Sequence, residues 1–187
     1  MSKEQIFSVV IISFTLGLGS GFVLSPEYAV RMSEKQSMSM ELGRADKFID
    51  QRFIDGVIAH HLNAIYMAKQ ALDNSKRQEI KDLAREIITV DEKSIQELYA
   101  WKKSWYGNSR QITNYEKINL GPSDENFDLR FLNALIAHHE DAIVVSKEIR
   151  TKSHRSEILN LSDTIINNLS KGVVGLSKWR NEWYQVK

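Results

Sequence analysis

Two histidine pairs, His60-His61 and His138-His139, are the residues of this chain best suited to chemistry. Neutral imidazoles are good ligands for Cu(II), Zn(II) and Ni(II). Adjacent residues on a helix diverge by about 100°, so the two rings of one pair do not readily chelate one ion, and each needs a partner from elsewhere. The chain supplies one, because the pairs occupy equivalent positions of an internal repeat with an offset of 78 residues. Two-fold packing of the repeats would bring four of the five histidines together across a core. One inward histidine reads as a core residue hydrogen-bonded to backbone or carboxylate; four at equivalent positions favour a metal. Protonation would then release it at mildly acidic pH. Met67, further along the His60 stripe, adds a candidate soft ligand. Asp91 interrupts the apolar stripe Ala84, Ile88, Ile95, Leu98, and its carboxylate is placed to orient a histidine or to bind the metal directly. Its counterpart is Leu169, which confines that role to the first repeat.

The elements that must position these residues follow from the repeat. Residues 50–106 recur without gaps as 128–184, with Phe53/Phe131, Ile58/Ile136, Ala64/Ala142, Leu83/Leu161, Trp101/Trp179 and Trp105/Trp183 among the matched pairs. A constant register of this length marks a duplicated supersecondary unit. In the first unit, steps of four and three give two neighbouring stripes: Phe53, Val57, His60, Ala64, Met67, Ala71 and Ile54, Ile58, His61, Ile65, Ala68, Leu72. A break at residues 73–76 separates this helix from a second carrying Ile80, Leu83, Ile87, Val90, Ile95, Leu98, Trp101 and Trp105. Each unit is therefore a helical hairpin, joined to the other by residues 107–123. Ser123, followed by Asp124 and Glu125, predicts the start of the third helix. One hairpin cannot cover its own apolar face, whereas two bury all four helices, so the predicted fold is an all-α four-helix bundle. The Trp pairs are expected to close its ends with their indole N–H groups at the wet edge. Asp50 and Asp128 are expected as caps or dipole partners at the helix starts.

Residues 5–24, QIFSVVIISFTLGLGSGFVL, carry no charge and match the ~20 helical residues that cross a bilayer core. The run is long for the apolar region of a signal peptide and no clear small-x-small cleavage site follows, so an uncleaved transmembrane helix is expected, with membrane lipid as its partner. The predicted organisation is an anchor over 1–25, a polar tether over 26–43 and the bundle over 44–187. Met32, Met38 and Met40 in the tether could capture Cu(I), although a solvated linker that happens to contain methionine explains them as well. The flanking charges are nearly balanced and decide little about orientation; a short N-terminus inside the cell and a folded domain outside is the expected arrangement.

The strings FIDGVIAHHLNAIYMA and FLNALIAHHEDAIVVS, each followed by a helix ending W-x-x-x-W, resemble the ferritin-like family known as domain of unknown function 305. The resemblance covers both repeats. It implies a four-helix fold on the outer side of a bacterial cytoplasmic membrane, and copper binding through histidine and nearby methionine in some members. The sequence departs from that family's pattern where thioethers are expected. Val57 and Leu135 precede the His pairs, Met67 faces Val145 across the repeat, and Leu98 and Leu176 stand before the Trp residues. A polar pair of the second helix is replaced by Leu169 and Gly172 in the second repeat. Such losses argue against a high-capacity Cu(I) store and leave a smaller histidine-based site or a fold kept for structure.

Composition narrows the function further. The 25 basic and 24 acidic residues give a formal charge of +1, so no strong field draws the chain to nucleic acid. Without cysteine there is no disulfide, thiolate site or Cys nucleophile. The Glu-x-x-His motifs of di-iron bundles are missing, as are nucleophile triads and phosphate loops, and a non-enzymatic role is expected. Two functions remain: an anchored protein that buffers or delivers copper, with Zn not excluded, or an accessory subunit docked on a larger membrane complex.

Overall fold

The computed structural model describes residues 42–185. They form four α-helices and no strand: α1 (Ile49–Asn74), α2 (Gln78–Tyr106), α3 (Phe127–Ile149) and α4 (Ser156–Tyr184). Among the described residues no helix is long and apolar enough to cross a membrane; the expected anchor and the Met-bearing tether lie outside them.

Each hairpin turns on a serine. Ser75 breaks α1 with extended backbone, and its hydroxyl accepts a hydrogen bond from the Arg77 amide at 3.1 Å. Ser153 does the same for Arg155 at 3.1 Å. Both serines are buried, so this local bond satisfies a polar group that would otherwise oppose folding. α2 stops at Gly107, whose left-handed φ of 61° lets its amide turn back onto the last helical turn.

α1 packs along α2, α3 along α4, and the hairpins meet through α1 and α3. The composition of the core gives their relative direction. One apolar cluster joins the C-terminal half of α1 (Met67, Ala68, Ala71) to the N-terminal half of α3 (Phe127, Phe131, Leu135). The other joins the N-terminal half of α1 (Phe53, Ile54, Val57) to the C-terminal half of α3 (Val145, Ile149). The two helices are therefore antiparallel, related by a pseudo-two-fold axis that passes between the clusters. Phe53 and Phe131, fully buried, anchor opposite clusters, and truncating either to Ala would cost about 3–5 kcal/mol.

The same symmetry places the Trp end of each hairpin against the turn of the other. Trp101 and Trp105 stack at 5.0 Å, as do Trp179 and Trp183. The Arg155 guanidinium lies 4.2 Å from the Trp105 ring, and Arg77 lies 4.3 Å from that of Trp183. Arg155 also reaches Asp50 at 3.2 Å, and Arg77 reaches Asp128 at 3.7 Å. This corrects the capping half of the expectation for the two aspartates, whose first-turn positions still suit the helix dipole: neither caps its helix, whose N-cap positions are Phe48 and Asn126 without side-chain bonds. They sit in the first turn and tie one hairpin to the other.

The repeat begins earlier than residue 50. Leu42 and Leu120, both 1% exposed, occupy equivalent positions, and Arg52 and Arg130 fold back onto the segments that follow them. Arg52 donates to the Leu42 and Arg44 carbonyls at 2.7 and 2.6 Å and pairs with Asp46 at 2.9 Å. Arg130 donates to the Leu120 and Pro122 carbonyls at 2.6 and 2.5 Å and pairs with Asp124 at 2.9 Å. This bracket explains why α3 starts at Phe127 rather than at Ser123. Asp124 accepts from the Asn126 amide and from Arg130, while the Ser123 hydroxyl donates to the Asn74 carbonyl at 2.9 Å.

The connection over residues 107–126 is strapped to α1 and α2. The Ile112 amide donates to the Tyr99 hydroxyl at 2.8 Å, and the Gln70 amide group bridges the Ile118 carbonyl and Leu120 amide at 2.8 and 2.9 Å. Lys102, 1% exposed, ends against Asp55 at 2.7 Å and the Arg110 carbonyl at 2.9 Å. In the second repeat Arg180 and Asn133 replace that ion pair, at 3.3 Å.

Candidate metal centre

The four paired histidines form a polar layer between the two apolar clusters. His60 from α1 and His138 from α3 lie on the pseudo-two-fold axis with ring centroids 3.4 Å apart and planes 25° from parallel. Each Nε2 reaches the backbone carbonyl of the other residue, at 2.9 Å from His60 and 3.2 Å from His138. A carbonyl only accepts, so each Nε2 carries the proton and each neutral ring keeps its lone pair on Nδ1. The Nδ1 of His138 is buried without a hydrogen-bond partner.

Within each pair the rings diverge as helical geometry requires, with centroids 6.3 Å apart in both. His61 turns toward α2, where its Nδ1 meets Asp91 at 2.9 Å. The carboxylate accepts from Nδ1–H, so the neutral ring keeps its lone pair on Nε2, the arrangement by which a carboxylate orients a metal-binding histidine. Asp91 thus stands behind the imidazole. His139 has no such partner, because Leu169 occupies the equivalent position and the His139 Nδ1 is buried without a hydrogen bond. Its ring rests on Gly172 instead: a Cβ there would sit 2.8 Å from its Cδ2 and 3.0 Å from its Nε2. Gly172 admits the ring because it has no side chain.

Burial dominates the electrostatics. It holds His60 and His139 at pKa values of about 4 and His138 well below the usual imidazole range. Burial acts on His61 as well, but the charge of Asp91 and its hydrogen bond outweigh that cost and leave the His61 pKa raised. The layer is therefore asymmetric: burial lowers the pKa of three of its histidines, and Asp91 raises that of the fourth.

The expectation that four imidazoles converge on one ion is not met as a finished site. Among the described residues no three His, Asp or Glu side chains are gathered closely enough to hold a metal. Stacking and the reciprocal carbonyl bonds commit His60 and His138 to each other. Met67 is fully buried among Ala68, Phe131 and Leu135, in the cluster beside the layer. It lies seven residues beyond His60, a rise of about 10 Å along α1. The Nδ1 lone pairs of His60 and His138 and the Nε2 lone pair of neutral His61 are not used in these bonds, and His139 Nδ1 is buried without a partner. The reciprocal carbonyl bonds left no distinct signal in the sequence, whereas Gly172 stood out as a position where the repeats differ, paired by the offset with Ser94.

The profile of the DUF305 family, a domain of unknown function, matches residues 50–124 and 110–180. The chain belongs to the DUF305 family. Solved structures of CopM share the fold over most of this chain. The Cu(I)-bound form superposes with a TM-score of 0.65 at 32% identity, covering 72% of this chain and 97% of that one. The Cu(II)-bound form gives 0.64 at 30% identity over the same shares, and the apo form 0.64 at 33% identity, covering 72% of this chain and 98% of that one. No curated protein matches the chain significantly. In this DUF305 member the helical part of the expected fold stands: four helices, two repeats and the His pairs facing inward.

Proposed function

We propose that this DUF305 protein is a non-enzymatic copper-binding protein, held at the outer face of the bacterial cytoplasmic membrane by residues 5–24, that buffers or delivers the ion. The His61-Asp91 pair carries this reading. A half-buried carboxylate that orients one ring nitrogen and leaves the other free suits a metal ligand better than a packing residue. The orphaned Nδ1 atoms of His138 and His139 supply further nitrogen donors in the same layer. Likeness to CopM, solved with Cu(I) and Cu(II), supports copper as the cargo. Imidazole donors without a nearby thioether favour Cu(II), with Zn(II) as the competing ion. Formation of a closed site requires ring rotation in the histidine layer.

The test is titration of chelator-stripped protein with Cu(I), Cu(II) and Zn(II), following the unfolding midpoint of the wild type and of a His61→Leu/His139→Leu variant. A ligand specific for the folded state, present at a hundred times its Kd, adds about 2.7 kcal/mol of stability. The wild type should respond to Cu(II) and the variant should not. If no metal raises the wild-type midpoint, copper binding is wrong.

A second reading has its own observation. The stacked His60-His138 pair, with both Nε2 atoms bonded to carbonyls, locks the two hairpins together without any metal. On that reading the protein is an accessory subunit of a membrane complex with a reduced site, and wild type and variant co-purify with the same partners.

A further inference from the structure

The duplication provides an internal control, because the two ends of the bundle have the same architecture and differ only in the residues they carry. At one end residues 43–48 meet the α3-α4 turn: Lys152 Nζ donates to the Gly43 carbonyl at 2.5 Å. A shallow cleft there is lined by Lys47, Asp50, Tyr106, Lys152, His154 and Arg155. At the other end residues 121–126 meet the α1-α2 turn, where Ser123 donates to the Asn74 carbonyl. Residues 43–48 and 150–157 carry five basic and two acidic side chains, whereas their counterparts 121–126 and 72–79 carry two basic and four acidic. Part of this excess is compensated locally, since Arg150 pairs with Asp163 and Lys152 with Glu148. Arg44, Lys47 and His154 remain exposed, where the opposite end has Pro122, Glu125 and Lys76. Between them Phe48 is 47% exposed, with the Lys47 ammonium 4.9 Å from its ring; its counterpart is Asn126.

We propose that this basic, Phe48-bearing end is a surface for anionic phospholipid headgroups, so that the bundle stands on the bilayer by its α1 N-terminal end. The inference rests on the reading that residues 5–24 enter a membrane, because Leu42, the first described residue, lies on this very end with only 17 residues between. Basic side chains beside an apolar ring fit a headgroup layer, where cations meet phosphate and the ring reaches the acyl boundary. Each basic residue near an anionic surface strengthens attachment by about fivefold, and the attraction is screened by salt. A tether this short keeps the surface at high local concentration, so modest intrinsic affinity suffices. The opposite end, acidic and without an exposed aromatic in its loop, is repelled and faces away.

The chain has no cysteine, so one introduced thiol reports one site. Full-length Ala45→Cys and its two-fold counterpart Ser123→Cys are labelled with a fluorophore and reconstituted into vesicles containing a headgroup quencher. The vesicles are phosphatidylcholine alone or phosphatidylcholine with phosphatidylglycerol. With phosphatidylglycerol the label at 45 should be quenched at least twofold more than the label at 123, and the excess should vanish at high salt. Giving this end the loop residues of the other (Arg44→Pro, Lys47→Glu, Phe48→Asn) should abolish the excess while the helical circular dichroism stays intact, because the same backbone already accepts those residues at 122, 125 and 126. Flotation of the same samples separates this surface from the anchor. If the protein floats with both vesicle types and the two labels are quenched alike, the surface is refuted and the anchor stands. If it floats only with phosphatidylglycerol and the exchanged variant does not float, the surface stands and the anchor falls. Failure to float with either overturns both.

Discussion

Acidification should destabilise the metal-free protein well before carboxylate titration does, and the histidine layer sets the size of the effect. His60 and His139 have pKa values of about 4 in the fold against an ordinary value of 6.5. Between those values the unfolded chain binds protons that the folded chain refuses, so stability falls as pH falls. Moving from pH 7.5 to pH 5 costs about 2 kcal/mol for each of these two residues, with RT near 0.6 kcal/mol. His138, also lowered by burial, acts in the same direction. His61 opposes them: its raised pKa contributes stability that is complete below 6.5 and lost as pH rises through its folded value. His60 and His139 together account for a loss of about 4 kcal/mol, a large fraction of the 5–15 kcal/mol by which domains are usually stable. Urea unfolding followed by circular dichroism in chelator at the two pH values measures it directly. A change below about 1 kcal/mol would mean that the layer opens to water or protonates without unfolding, and the electrostatic reading of the buried rings would fail.

Three further outcomes follow from the same contacts. Asp91→Asn should lower the His61 pKa, visible as a shift of its NMR titration midpoint to lower pH, and should weaken copper affinity about 10–100-fold if the carboxylate orients the ligand; an unchanged titration would break the pair. Gly172→Ala should destabilise the fold by about 1–3 kcal/mol, since its methyl would overlap the His139 ring, and calorimetry showing no loss would mean that the ring simply moves aside. Arg155→Ala removes both the Asp50 partner and the Trp105 stacking contact, so about 1–3 kcal/mol should be lost in denaturant titration, and Arg77→Ala should behave alike at the opposite end.

The helical hairpins were legible because amphipathic spacing and a 78-residue register are one-dimensional properties. Two stripes of apolar residues on a helix must be buried, and a gapless repeat must fold as the same unit twice. The inward position of all four paired histidines follows from those stripes, and the contact of Asp91 with a histidine from its place in an apolar run. Helix starts were less legible: Ser123, Asp124 and Glu125 read as a first turn, but Arg130 draws Asp124 into a loop and Asn74 takes the Ser123 hydroxyl. Asp50 and Asp128 likewise read as dipole partners, while their contacts belong to arginines 105 and 51 residues away along the chain. Only the antiparallel meeting of α1 with α3 decided which ring atoms are free. It stacks His60 on His138 and spends both Nε2 protons on carbonyls, a choice made by two backbones that the sequence does not place side by side. Helical periodicity states which side of a helix is buried; what it is buried against, and which lone pairs remain, is settled by the partner helix.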